Sequence, residues 1–293
     1  MKSTYFTKSI SALIVLFWVF IPVSVVFAKG DPIRVSVSIL PQKYFVEKIG
    51  GQRVTVEALV RPGQKPDTLD LSPRQVAHLG DSRVFFLVGV PFENQWIPKI
   101  QGTHPDLKLV PLYQEHRVAK RTGREEGEHS HAENPHRWLN PLWVKSAANI
   151  ILKTLVEEDP SSASYFRRNH RKFIKELVGL NKEIKVMLKP VKDRAFLTYH
   201  PAWNHFANSY GLKEIPIEME GREPGPRALS KVVQLGRDHN VKVIFIQKQF
   251  SKDIVASVAR TLGAKVVSVD PLAENYTTNM RQVAQAFVEA MQE

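Results

Sequence analysis

The chain has 293 residues, no cysteine, 43% hydrophobic content and a formal charge of +12. The lack of cysteine excludes a disulfide framework and a lipid-accepting cysteine behind a signal segment, so a buried core must supply the stability. The basic residues are scattered, which argues against nucleic acid and fits an anionic membrane surface or a negative docking partner.

Residues 1–28 read as a secretory signal rather than as fold. Lys2 and Lys8 precede an uncharged apolar run over residues 10–27, and Val26-Phe27-Ala28 offers the small residues at which cleavage after Ala28 is expected. A membrane anchor is the rival reading, against which Pro22 interrupts the run. The mature protein is therefore expected outside the cytoplasm, in the periplasm.

From there, strand and helix signals alternate. Residues 34–40 (R-V-S-V-S-I-L) predict a strand, 44–49 a short helix closed by Gly50-Gly51, and 54–60 a second strand. The Arg61-Pro62-Gly63 turn and Pro66-Asp67-Thr68 follow, and Ser72-Pro73 marks the start of a helix carrying Val76, Ala77 and Leu79. Residues 84–90 predict a third strand, 94–100 a helical turn and 107–110 a short strand. This order predicts a parallel α/β lobe.

Residues 125–141 (E-E-G-E-H-S-H-A-E-N-P-H-R-W-L-N-P) set His129, His131 and His136 among carboxylates. Imidazole and carboxylate together suit a divalent metal, with a solvated polar loop as the plain alternative. A helix is expected over residues 142–157, and Asp159-Pro160 opens another. Along this second helix Phe166, Phe173, Leu177, Leu180, Ile184 and Leu188 form one apolar stripe. About 29 residues would span about 43 Å, suiting a strut between two lobes; a coiled-coil dimer seam is the alternative.

The alternation then resumes, with strands expected at 195–199, 215–217, 241–246 and 265–269 and helices at 202–210, 229–239, 253–263 and 278–291. In open α/β sheets, ligands sit at the carboxyl ends of strands, where His200 and Asp270 fall. Pro66-Asp67, Pro135-His136, His200-Pro201 and Asp270-Pro271 each place a metal-ligating side chain beside a proline, two from each half of the chain. Proline stiffens the backbone on both sides, as a preorganised ligand set requires. Position by position, strand-end prolines and helix caps explain these pairs equally well.

The sequence resembles the zinc/manganese-type substrate-binding proteins of ABC metal importers over nearly its whole mature length. The resemblance rests on Ser38-Ile39-Leu40-Pro41, the Pro62-Gly63 turn, Asn134-Pro135-His136-Arg137-Trp138-Leu139-Asn140-Pro141, Tyr199-His200-Pro201-Ala202, Glu220-Gly221-Arg222-Glu223-Pro224, Val243-Ile244-Phe245-Ile246-Gln247 and Asp270-Pro271-Leu272. It implies two α/β lobes, each a mainly parallel sheet flanked by helices, joined by one long rigid helix. Residues 29–141 would be the first lobe, 142–190 the connecting helices and 191–293 the second lobe. It further implies a monomer that holds one metal ion in the interlobe cleft and docks to a membrane permease.

By the same resemblance His136, His200 and Asp270 match metal ligands, whereas Asp67 stands where the family has histidine, with Asp70 or Glu220 as substitutes nearby. Two nitrogen and two carboxylate ligands move preference from Zn2+ toward Mn2+ or Fe2+. His129 and His131 would be an accessory metal-gathering stub beside Glu125, Glu126 and Glu128. A secreted metallohydrolase is the enzyme alternative, against which no H-E-x-x-H motif occurs. A surface adhesion module on the same scaffold is the other. No catalytic activity is expected.

Overall fold

A computed structural model describes residues 31–113, 134–192, 194–219, 221–247, 250 and 252–292. The first sheet is built from β1 (Ile33–Val37), β2 (Val54–Ala58), β3 (Val84–Leu87) and β4 (Lys108–Pro111), all parallel and ordered β2-β1-β3-β4. Helices α1 (Leu40–Gly50), α2 (Pro73–Gly80) and α3 (Pro91–Thr103) link these strands. All four residues of β3 are buried, as expected of a strand covered on both faces.

Helix starts follow local chemistry. Ser72 caps α2 by accepting from the Gln75 amide, and the Gln75 side chain accepts in return from the Ser72 amide at 2.9 Å, a reciprocal pair with Pro73 at the first helical position. Helix α3 is longer than the turn expected at 94–100: Pro91 starts it, Pro98 is carried inside it, and Phe92 and Ile100 anchor it in the core.

Helix α4 (Pro141–Glu158) follows, and Pro160–Ser162 forms a 3-10 turn before α5 (Ala163–Leu188). Helix α5 is therefore 26 residues long, about 39 Å, with the expected first turn wound more tightly. All six residues of its apolar stripe are buried within this chain. That removes the coiled-coil alternative, because a seam already covered by its own protein cannot receive a second copy.

The second sheet repeats the first. It comprises β5 (Ala195–Thr198), β6 (Lys213–Pro216), β7 (Val243–Ile246) and β8 (Lys265–Ser268), parallel and ordered β6-β5-β7-β8. Helices α6 (Asn204–Tyr210), α7 (Pro226–Asp238) and α8 (Asp253–Leu262) connect the strands, and α9 (Tyr276–Gln292) returns against α5. In both sheets the chain leaves the first strand toward one side and later crosses to the other. The reversal opens a crevice at the carboxyl ends of β1 and β3, and again at those of β5 and β7. Among the described residues no helix is long and apolar enough to cross a membrane.

Candidate metal centre

The carboxyl ends of the two sheets supply the loops that hold the expected ligands. Asp67 lies in the 3-10 turn Pro66–Thr68, between β2 and α2, with Pro66 at its first position. His136 leads into the turn Arg137–Leu139 that opens α4. His200 follows β5 and Asp270 follows β8.

Both imidazoles have their tautomer set by a neighbour. The Asn134 amide nitrogen donates to the Pro201 carbonyl, so its Oδ1 faces the other way and accepts from the His136 backbone amide at 3.0 Å and from Nδ1 of His136 at 2.8 Å. Nδ1 of His136 therefore carries the proton and Nε2 keeps its lone pair. Nδ1 of His200 donates to Glu218 Oε1 at 3.0 Å, again leaving Nε2 free to accept a metal. The two rings meet edge to face with centroids 5.3 Å apart.

Nε2 of His200 lies 3.6 Å from Oδ2 of Asp67. This is too long for a hydrogen bond, but two ligands at about 2.0–2.2 Å from a tetrahedral zinc are themselves roughly 3.3–3.6 Å apart. The spacing suits an ion placed between them.

Charge at the site is set by burial and by neighbours. Burial holds His136 well below the ordinary histidine pKa, and His200 and His205 lower it further, so its ring is neutral. Burial also lowers His200, but the hydrogen bond and charge of Glu218, with Asp67 and Glu214, outweigh it and leave the pKa raised. Burial raises the pKa of Asp67 and His200 partly offsets that.

A cleft of about 20 Å³ lies among Asp67, His136, His200, Gln247, Phe250 and Pro271. That is space for an ion or a water and too little for an organic solute. Phe250 stacks on His200 at 5.2 Å, and the Lys65 ammonium sits 4.2 Å from the Phe250 ring centre, so a residue from each sheet's loops closes over the histidine. The histidine loops are also stitched to the opposite sheet: Trp138 Nε1 donates to the Pro271 carbonyl at 2.8 Å, and His205 Nε2 donates to the Asn134 carbonyl at 2.8 Å.

The structure thus brings Asp67, His136 and His200 to one cleft. Asp270 is not among its lining residues, although Pro271 and Leu272 are; its Oδ1 accepts from the Leu272 amide at 2.9 Å. Among the described residues no three His, Asp or Glu side chains already stand at the spacing of a finished metal cluster. Asp70 is exposed and does not line the cleft. Glu220, His129 and His131 lie outside the described residues, as does the expected signal at residues 1–28.

Sequence reasoning gave no role to Glu218, Asn134 or Gln247. Gln247 directly follows β7, and Glu218 and Asn134 lie two residues from a strand end and a ligand candidate; Asn134 and Gln247 also fall within the motifs of the family resemblance, which assigned them no role.

Two parallel α/β lobes with an ion-sized cleft between their strand ends suit a solute-capturing protein. The chain belongs to the family described as ZnuA, zinc-uptake complex component A, periplasmic, whose model matches residues 35–290. It is similar to the high-affinity zinc uptake system protein ZnuA of Bacillus subtilis (strain 168), at 26% identity over 84% of this chain and 80% of that protein. It is also similar to the crystal structure of a ZnuA, at 36% identity and a TM-score of 0.80 over 89% of this chain and 99% of the other. A zinc-bound deletion mutant of ZnuA matches with the same identity and TM-score, over 89% and 98%. Family membership carries metal uptake outside the cytoplasm rather than hydrolysis, and does not favour adhesion.

Proposed function

We propose that this protein captures a Zn2+ ion in the cleft through Asp67, His136 and His200, with Asp270 as the fourth ligand, and delivers it to the permease of an ABC importer. The observation that supports this most directly is the 3.6 Å spacing of His200 Nε2 and Asp67 Oδ2, with the His136 ring lining the same cleft 5.3 Å from that of His200. A cation drawing Asp67 and the two rings inward would complete the cluster. Asp270 would join through the oxygen that Leu272 does not engage.

Manganese is the second cargo. Asp67 replaces a nitrogen donor by a hard oxygen, which narrows the preference for zinc. Secretion with cleavage after Ala28, a monomeric state and a metal-gathering role for His129 and His131 belong to the same proposal.

The test is a thermal scan of metal-free protein with zinc and then manganese. A ligand that binds only the folded state stabilises it, by about 2.7 kcal/mol at a hundredfold excess over Kd. The melting temperature should rise with zinc, and the rise should vanish in the double variant His136→Ala, His200→Ala. No rise in the unmodified protein with either metal would refute metal capture, and a rise that survives in the double variant would move the site elsewhere.

A further inference from the structure

Gln247 follows β7, at the crevice where the second sheet reverses its winding, and lines the cleft beside His200. Its side chain is 1% exposed. Nε2 donates to the His200 carbonyl at 3.2 Å, which fixes the orientation of the amide, since the oxygen cannot face another carbonyl. Oε1 has no hydrogen-bond partner among the described residues. A buried acceptor left unsatisfied is costly, and in native structures it usually has a partner that binds during function. An amide oxygen can take only a donor or a cation. Of the polar side chains that share the cleft, Asp67 and the two imidazole Nε2 atoms are electron-pair donors, and the donors Gln64 and Lys65 make no hydrogen bond to this oxygen.

We propose that Gln247 is a positioning residue of the metal centre, whose amide oxygen accepts a hydrogen bond from a water retained on the bound ion. This rests on the reading that the ion sits between Asp67, His136, His200 and Asp270, the water taking a fifth position, to which zinc can expand and which manganese readily fills. The ligand class is then a divalent cation that keeps one water, held at one further point by a neutral oxygen. The two ends of the amide divide the work: the nitrogen holds the His200 loop, and the oxygen faces the cargo.

Two variants separate these ends. Gln247→Met removes both, whereas Gln247→Glu keeps an acceptor, adds negative charge toward the cation and abolishes donation to the His200 carbonyl. Zinc and manganese affinities are measured by competition with a chromophoric chelator, alongside melting curves of the metal-free proteins. His200→Ala serves as the control for the site. The expected result is weaker binding of both metals in Gln247→Met, about tenfold as for other groups that support metal ligands from behind, and tighter binding in Gln247→Glu. Water-proton relaxivity of the manganese form should report a coordinated water in the unmodified protein.

Weaker binding in Gln247→Glu as well as in Gln247→Met would overturn the proposal, leaving Gln247 only as a support for the His200 carbonyl. Unchanged binding in both would overturn it too, as would a manganese form without coordinated water. Undiminished binding in His200→Ala would instead refute the ligand set itself, whatever the Gln247 variants do. If Gln247→Glu melts too low to titrate, weakening in Gln247→Met together with the relaxivity still decides.

Discussion

On the proposed ligand set, the pairing of Asp67 with His200 decides which ion the cleft prefers. If Asp67 is a ligand, Asp67→His supplies a third imidazole and should raise zinc affinity relative to manganese, while Asp67→Ala should weaken both. Paired titrations of both variants check this, and an unchanged zinc-to-manganese ratio in both places Asp67 outside the coordination sphere. Glu218, 6% exposed, orients His200 from behind. Glu218→Leu should cost 10- to 100-fold in metal affinity, whereas Glu218→Gln, whose Oε1 can still accept from Nδ1, should recover most of it; equal losses in the two would mean that only the packing matters. These residues also mark where reading the sequence stopped. His136 and His200 stand out because imidazole beside proline is a chemical signal in one dimension. Glu218 and Gln247 act through contacts 18 and 47 residues away, which only the pairing of β5 with β6 and β7 creates.

Elements carry a second signal, a buried carboxyl at the head of each sheet. Glu93, in the first turn of α3, accepts from the Ser38 hydroxyl and from the Val88 and Gly89 amides at 2.9 and 2.8 Å. Burial pushes its pKa up to about 7 against the pull of those bonds. Glu214 in β6, bonded to Thr198 and to the Trp203 amide, is likewise raised by burial to about 7. Below pH 4.5 such a carboxyl is neutral in both folded and unfolded chains. Between 4.5 and about 7 only the folded chain keeps the proton, so this contribution to stability is lost as pH rises through that window. His136 acts oppositely, because its folded pKa is depressed: its contribution is lost as pH falls below 6.5. Comparing the unmodified protein with Glu93→Gln cancels both His136 and Glu214. From pH 5 to pH 8 the metal-free unmodified protein should lose up to about 3 kcal/mol more stability than the variant, read from urea unfolding. Parallel curves would show that Glu93 titrates as an ordinary carboxyl. The alternation of strands and helices was legible because its periodicity is local. The length of α3 was not, since Pro98 reads as a breaker and only the core contacts of Phe92 and Ile100 override it.

At the scale of the whole molecule, one hydrophobic core runs through both lobes. Phe45 of α1 meets Tyr276 at the start of α9 with ring centroids 4.9 Å apart and Phe173 of α5 at 6.1 Å. Further along α9, Phe287 stacks on Phe245 of β7 at 3.9 Å and meets Phe196 of β5 at 4.7 Å. The first sheet, α5, α9 and one face of the second sheet therefore belong to a single cluster, while Leu197, Ile215 and Ile244 pack the other face of the second sheet. Polar contacts reinforce the same seam: Glu176 on α5 accepts from Tyr44 at 3.0 Å, from Lys48 at 2.8 Å and from Thr277 at 3.1 Å. Burial lowers none of this to a surface effect, because Phe173 is 1% exposed and its truncation would leave a cavity between α1 and α5. Phe173→Ala should cost about 3–5 kcal/mol, and the loss should reach both lobes at once, since neither can keep its side of the core without the other. Metal-free protein should therefore unfold in one transition, with tryptophan fluorescence and far-ultraviolet circular dichroism coinciding, and the variant should shift both curves together. Two separated transitions, with only the earlier one moved by Phe173→Ala, would show that the lobes fold independently and that α5 is a tether rather than part of a shared core.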